Sequence, residues 1–165
     1  RTTPGTTLLD GLRSVFGTEV HFDPAGGFGA ESNATIGVIC IAEPPYAEGP
    51  GDSATVSARD EDRAVFDRMR ERCDTLVLVV YSGRPLAIPD LLAEADAVVA
   101  AWLPGSEAGA LGALLAGIHD FEAVTPQPWP QYIQDLDNRM ASPLYPAGHG
   151  LTLASDDRSE TRAQQ

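Results

Sequence analysis

The fold of this chain is decided at residues 36–52, which read IGVICIAEPPYAEGPGD. The first seven of these residues form an apolar run without polar alternation, which is typical of a strand covered on both faces in a parallel sheet. A loop rich in proline, glycine and carboxylates follows at once. Two further apolar runs, at 75–81 and 97–103, end in the same way, in the loops SGRP and PGSE. The chain therefore contains three strands of one sheet, each followed by a polar loop.

Helical patterns alternate with these strands. Apolar residues at helical spacing predict helices over 6–16, from Ser57 onward, over 90–95, and from Ser106 to Ile118. Strands that alternate with helices indicate the α/β class, here a three-layer sandwich with a mostly parallel sheet and helices on both faces. Ligands of such sheets meet the loops at the carboxyl ends of the strands, so we expect the three polar loops to share one edge.

Composition limits the classes of partner. The 165 residues suffice for one ordinary domain, and 24 acidic against 11 basic residues give a net charge of −13. A field of that sign repels phosphate backbones and anionic lipid, so we expect neither nucleic acid nor membrane as a partner. The two cysteines, Cys40 and Cys73, lack metal-ligand spacing, and no metal site is predicted.

The loop at residues 43–52 is the main candidate for chemistry. It holds the carboxylates Glu43, Glu48 and Asp52 together with Tyr46. Proline and glycine give such a loop a rigid, non-repeating path, and a carboxylic acid partly desolvated beside an aromatic ring can serve as a general acid. The alternative is a surface turn with solvated acids, which the residues taken alone favour.

Two residues after the next strands also allow two interpretations. Arg84 could meet a ligand, or it could form an ion pair with an acid of the 43–52 loop, and we favour the ion pair. Trp102 could stack on a sugar, but a core position at a strand end is the commoner role of such a residue.

The three loops together resemble a known family. The strings EPPYAEGPGD, SGRP and AWLPGSE, in this order and spacing, resemble the second domain of glycoside hydrolase family three, which comprises β-glucosidases and related exo-acting β-glycosidases. GTTLLDGL at 5–12 and PLYPAGHGL at 143–151 look like the opening helix and the closing segment of that domain. The resemblance covers most of residues 5–152.

The resemblance implies a retaining mechanism in a two-domain site. A barrel domain would supply the nucleophilic Asp, and Glu48 would be the acid/base. Glu43, Tyr46, Asp52 and Arg84 would support the loop or bind substrate. The implied partners are a β-glucoside or oligosaccharide substrate and the N-terminal barrel domain of the parent enzyme, and no cofactor is implied.

The resemblance also sets expectations about boundaries. We expect the domain at residues 1–153, without the family's first strand, and a disordered tail at 154–165. Because the nucleophile would lie elsewhere, the isolated chain is expected to be inactive. Two alternatives stay open: a non-catalytic carbohydrate-binding or interaction module of the same fold, and a flavodoxin-like nucleotide binder. The absence of a glycine-rich loop after any predicted strand argues against the second, and the glycine-rich stretch at 26–29 is a weak signal because it precedes a strand.

Overall fold

A computed structural model describes most of the chain. The described residues are 4–29, 32–46, 49–53, 55–132 and 142–153. The chain divides into two compact units: a sheet unit, His21–Pro104 with Trp129–Leu144, and a helical unit, Arg1–Val20 with Gly105–Pro128 and Tyr145–Gln165. The tail predicted at 154–165 lies outside the described residues.

The sheet unit contains three parallel strands in the order β1-β2-β3. They are β1 (Ala34–Ala42), β2 (Cys73–Tyr81) and β3 (Ala97–Trp102). Each strand matches its predicted run to within two residues, and the predicted parallel sheet is confirmed.

The core of this unit is built on the central strand. Leu76, Leu78 and Val79 of β2 are fully buried. Helix α2 (Asp60–Arg70) packs against β1 and β2 and buries Phe66 completely. The short helix α3 (Pro89–Glu94) begins at a proline, a residue that suits the first turn because the backbone N–H groups there have no partner within the helix. Full burial of a side chain such as Phe66 contributes about 1.5–3 kcal/mol to folding. The central strand is therefore held firmly enough to position the loop that follows it.

The helical unit pairs α1 (Leu8–Phe16) with α4 (Ala110–Leu115). A reciprocal cap starts α1: the Thr7 N–H donates to the Asp10 carboxylate at 2.8 Å, and the Asp10 N–H donates to the Thr7 hydroxyl at 3.1 Å. The bonds from Thr7 hold the pKa of Asp10 below its ordinary value. The two helices approach so closely that a Cβ on Gly11 would overlap the carbonyl of Gly109.

Helix α4 is shorter than predicted at both ends. Ser106 does not cap it: the Ser106 hydroxyl donates to the Glu107 carboxylate at 3.2 Å, and the Ser106 carbonyl accepts a bond from the Thr6 N–H at 2.8 Å. Thr6 also pairs with Glu107 as in a parallel sheet. Gly117 adopts a left-handed φ of 70°, which ends the helix before Ile118. Similarly, α2 begins at Asp60 and not at Ser57. Within the described ranges, every helix is too short or too polar to cross a bilayer.

Candidate active site

The loop at residues 43–52 leaves β1 at the carboxyl end of the sheet. The Glu43 N–H still donates to the Tyr81 carbonyl, at 3.0 Å, and so continues the ladder by one residue. A single 3₁₀ turn at Gly49–Gly51 closes the far side of the loop, where the Asp52 N–H donates to the Gly49 carbonyl at 3.1 Å. Ala47 and the candidate acid/base Glu48 lie outside the described residues. The structure therefore describes the chain up to Tyr46 and again from Gly49, on either side of Glu48.

Arg84 forms an ion pair with Glu43, as one of its two sequence interpretations predicted. Its Nε and Nη2 donate to Glu43 Oε1 at 2.9 and 2.7 Å. The Glu43 side chain is only 11% exposed and that of Arg84 is 28% exposed, so solvent screens the pair weakly. The other Glu43 oxygen, Oε2, accepts a bond from the Tyr46 hydroxyl at 3.2 Å. Both oxygens of Glu43 are thus engaged inside the protein.

Tyr46 is held on several sides. The Arg84 guanidinium lies 4.5 Å from the centroid of its ring, within the range of a cation–π contact. A Cβ on Gly51 would overlap the ring, and one on Gly83 would lie 2.8 Å from the Tyr46 hydroxyl oxygen. Burial, with a smaller contribution from the Glu43 charge, raises the pKa of Tyr46 above its ordinary value.

These residues form one connected group, which we call the tyrosine clamp: Glu43, Tyr46, Gly51, Gly83 and Arg84. Arg84 closes it, since its Nη1 also donates to the Gly51 carbonyl at 2.8 Å. One guanidinium therefore joins the strand end, the ring that precedes Glu48 and the backbone that follows Glu48.

The SGRP loop places Arg84 through a local turn. The Ser82 side chain is buried, and its hydroxyl accepts a bond from the Arg84 N–H at 3.0 Å and donates to the Arg84 carbonyl. Serine commonly forms such turns with the backbone two residues on. The motif thus serves to fix the direction of the arginine as it leaves β2.

A cavity of about 200 Å³ lies beside the clamp within the sheet unit. Glu43, Tyr46 and Arg84 line one part of it, and the start of α2 lines another. There Arg59 donates two bonds to Asp62, at 2.9 and 2.7 Å. Asp52 also lines the cavity, but its carboxylate makes no hydrogen bond or ion pair with the described residues. The loop therefore borders an open cleft that apolar and charged side chains line together.

Trp102 lies at the end of β3 as predicted, but it is half-buried and not a core residue. Its ring packs at 6.3 Å, tilted by 54°, against the ring of Trp129, which is 3% exposed. Its backbone is unusual, because its φ of 53° lies in a region that aromatic residues rarely adopt. Among the described residues, no group of three or more His, Cys, Asp or Glu side chains could hold a metal ion.

The structure brings four of the five candidate residues, Glu43, Tyr46, Asp52 and Arg84, to one edge of the sheet. Sequence reasoning missed the part played by Gly51 and Gly83. The glycines themselves were visible in the loops, but which ring packs against them depends on contacts between loops far apart in sequence. For Gly51 the available signal was an aromatic residue, Tyr46, in the same loop, whereas the sequence around Gly83 gives no such signal.

Comparison with known proteins agrees with this architecture. The model of the glycosyl hydrolase family 3 C-terminal domain matches residues 2–153. A lysosomal beta glucosidase from Dictyostelium discoideum is 26% identical over 179 residues, an alignment that covers 92% of this chain and 22% of that protein. The chain thus spans less than a quarter of the length of this relative.

Solved structures show the same fold. A beta-glucosidase from Listeria innocua in complex with isofagomine superposes with a TM-score of 0.74 and 20% identity, covering 90% of this chain and 26% of that one. A glycoside hydrolase family 3 beta-glucosidase from Neurospora crassa gives a TM-score of 0.72 and 16% identity, covering 91% of this chain and 24% of that one. These similarities confirm the predicted α/β sandwich class. Because the family match extends over nearly the whole chain, the chain belongs to the C-terminal domain family of glycosyl hydrolase family 3.

Proposed function

We propose that this domain supplies the acid/base of a retaining exo-acting β-glycosidase, most simply a β-glucosidase, and that Glu48 is that residue. The observation that carries the proposal is the tyrosine clamp, which holds the chain on both sides of Glu48. Tyr46 precedes Glu48 by two residues, a separation of at most about 7 Å along the chain, and Gly51 follows it by three. A general acid requires such fixed flanks, because a misplacement of about 1 Å can cost a hundredfold in rate.

The clamp also distinguishes among the three carboxylates of the loop. Glu43 has both oxygens engaged, by Arg84 and by the Tyr46 hydroxyl, and its side chain is nearly buried. Such a group is suited to support the loop and not to exchange protons with a substrate. Asp52 is exposed and has no described partner that would orient it. Glu48 is the remaining carboxylate; it lies in sequence between the held residues Tyr46 and Gly51, at the position that the resemblance to the family implies for the acid/base.

The proposed chemistry needs two carboxyl groups about 5–5.5 Å apart. Glu48 would protonate the leaving-group oxygen in the first step and deprotonate the incoming water in the second. The nucleophilic Asp would come from an N-terminal barrel domain of the parent enzyme. No cofactor enters this scheme. The curated relative and the solved structures described above are named as β-glucosidases, and this supports a β-glucoside or oligosaccharide as substrate.

The proposal is tested in the full-length protein that carries this domain. Glu48→Gln should lower kcat by about 10²–10⁴-fold on substrates with poor leaving groups, the usual contribution of general acid–base catalysis. Added azide should partly restore turnover of activated aryl glucosides, because it needs no general base and those leaving groups need little protonation.

Asp74→Asn is the control, since it removes an exposed carboxylate near the amino-terminal end of β2, at the opposite edge of the sheet from the loop. It should retain most activity and gain nothing from azide. The isolated 165-residue chain should hydrolyse neither substrate. Full activity of the Glu48→Gln protein would show that another residue is the acid/base.

A further inference from the structure

Leu103 is exposed in an unusual way. It is 73% exposed, more than any other large apolar residue among the described residues. Single exposed leucines are common on protein surfaces. This one, however, directly follows Trp102, whose backbone holds a left-handed φ of 53°. Strain of this kind persists only where the surrounding structure maintains it, and it is concentrated at functional sites.

The surroundings of Trp102 show what maintains the strain. The Trp102 carbonyl accepts a bond from the Ser82 N–H at 3.1 Å, and its ring packs on the buried Trp129. The pairing of β2 with β3 also shifts register between Val80 and Tyr81, so that Tyr81 pairs with Trp102. Both the ring and the backbone of Trp102 are thereby anchored, and the chain turns sharply at the position that presents Leu103.

Leu103 lies next to the tyrosine clamp. A Cβ on Gly83 would lie 3.6 Å from Leu103 Cδ1 and 2.8 Å from the Tyr46 hydroxyl oxygen. Leu103 and Tyr46 therefore flank the same glycine, on the edge of the sheet where the candidate acid/base loop lies. The glycine leaves open the space between them.

We propose that Leu103 is a specificity-determining residue that contacts the leaving group of the β-glucoside and favours apolar leaving groups. The inference rests on the proposed function. A general acid must lie within hydrogen-bond reach of the glycosidic oxygen, and that oxygen departs with the leaving group, so the leaving group begins beside the acid/base loop. An exposed isobutyl group at that place gains by covering apolar surface of the leaving group.

The test compares hexyl and methyl β-D-glucopyranoside on the full-length protein. Both have alkoxide leaving groups of similar basicity, so the chemical step is matched and only the apolar contact differs. Leu103→Ala should lower kcat/KM for the hexyl glucoside by about tenfold, the effect of losing one or two methylenes of pocket contact. The value for the methyl glucoside should change by less than about twofold. Leu103→Met should retain most of the preference, because it keeps an apolar side chain of similar volume.

Ile36→Ala is the control. Ile36 is 61% exposed in the same unit but lies near the amino-terminal end of β1, the opposite edge of the sheet. Ile36→Ala should leave the ratio of kcat/KM for the hexyl glucoside to kcat/KM for the methyl glucoside unchanged. If Leu103→Ala lowers kcat/KM equally for both glucosides, or lowers it for neither, the inference is overturned while the proposed function stands. A wild-type protein that hydrolyses no β-glucoside overturns both.

Discussion

The ion pair between Arg84 and Glu43 should stabilise the sheet unit far more than an ordinary surface pair. We expect Arg84→Met to lower the free energy of unfolding by about 2–3 kcal/mol. Removing one partner of a buried pair costs about 3–5 kcal/mol, because the other charge is left desolvated without compensation. The 28% exposure of the Arg84 side chain lets water offset part of that cost, which sets the lower figure.

The pair itself is measured by a double-mutant cycle. Arg84→Met also removes the bond to the Gly51 carbonyl and the contact with the Tyr46 ring. These losses occur both in Arg84→Met and in the double variant with Glu43→Gln, so they cancel in the coupling energy. We expect a coupling of about 1.5–3 kcal/mol, the range of hydrogen bonds to charged groups.

The assay is urea unfolding at neutral pH followed by tryptophan fluorescence. The chain has two tryptophans, Trp102 and Trp129, and both lie in the sheet unit, so the signal reports on the unit that contains the pair. Thermal unfolding provides a second measurement, in which a loss of 2–3 kcal/mol should lower the Tm by about 5–10 °C for a chain of this length.

The matched control is the pair of Arg63 and Glu94, which lies in the same unit. Its distance of 2.9 Å is similar, but its side chains are 37% and 42% exposed. The same cycle, with Arg63→Met and Glu94→Gln, should give about 0–0.5 kcal/mol. If the Arg84 pair couples no more strongly than this one, burial does not strengthen it, and the clamp cannot owe its rigidity to that contact.

Two further variants test the packing around the loop. Gly51→Ala should destabilise the protein by about 1–3 kcal/mol in the same unfolding assay, because its Cβ overlaps the Tyr46 ring. Gly49→Ala, whose new Cβ has no atom of the described residues within 4 Å, should change stability little. Tyr81→Phe should change stability little at pH 7, since the buried Tyr81 hydroxyl has no well-aligned hydrogen-bond partner in the described part of the chain and its polar neighbour is the Cys40 thiol, a weak partner. Burial also raises the pKa of Tyr81 to about 12, so the wild type should lose stability as pH rises from about 10 towards 12, where the unfolded chain ionises first. In Tyr81→Phe that loss should be smaller, and an unchanged pH profile would contradict the assignment to Tyr81.

The strands were predictable from the sequence because their signal is local. Apolar runs without polar alternation predicted all three strands to within two residues, although only the central strand β2 is largely buried and β3 is at most half-buried. Helix α4 was predicted too long because its start depends on a contact between residues far apart in the chain. Ser106 is a good capping residue by local rules, but its carbonyl accepts bonds from Thr6, about one hundred residues away in the chain. Such a contact depends on the tertiary fold and leaves no mark in the sequence around Ser106.

In the candidate site too, some features follow from the sequence pattern and others depend on contacts between distant residues. That an arginine after one strand would meet an acid after its neighbour follows from the parallel sheet, whose strand ends share an edge. The choice of Glu43 as that acid, from three carboxylates in the loop, needed the geometry. So did the contact of Gly83 with Tyr46, because it joins two loops through a side chain and not through the backbone.

If Glu48 is the acid/base, as proposed, the clamp explains why the loop contains a further carboxylate. Arg84 needs an acidic partner at the strand end to hold its direction, and Glu43 Oε1 meets that need, while Glu43 Oε2 accepts a bond from the Tyr46 hydroxyl. If Glu48 took the same role, its carboxylate would be neutralised by a guanidinium and lost to proton transfer. The two functions therefore require two acids, one engaged and one left available. On this argument Glu43→Gln should reduce stability and activity together, whereas Glu48→Gln should reduce activity at nearly constant stability, and the unfolding assay distinguishes the two.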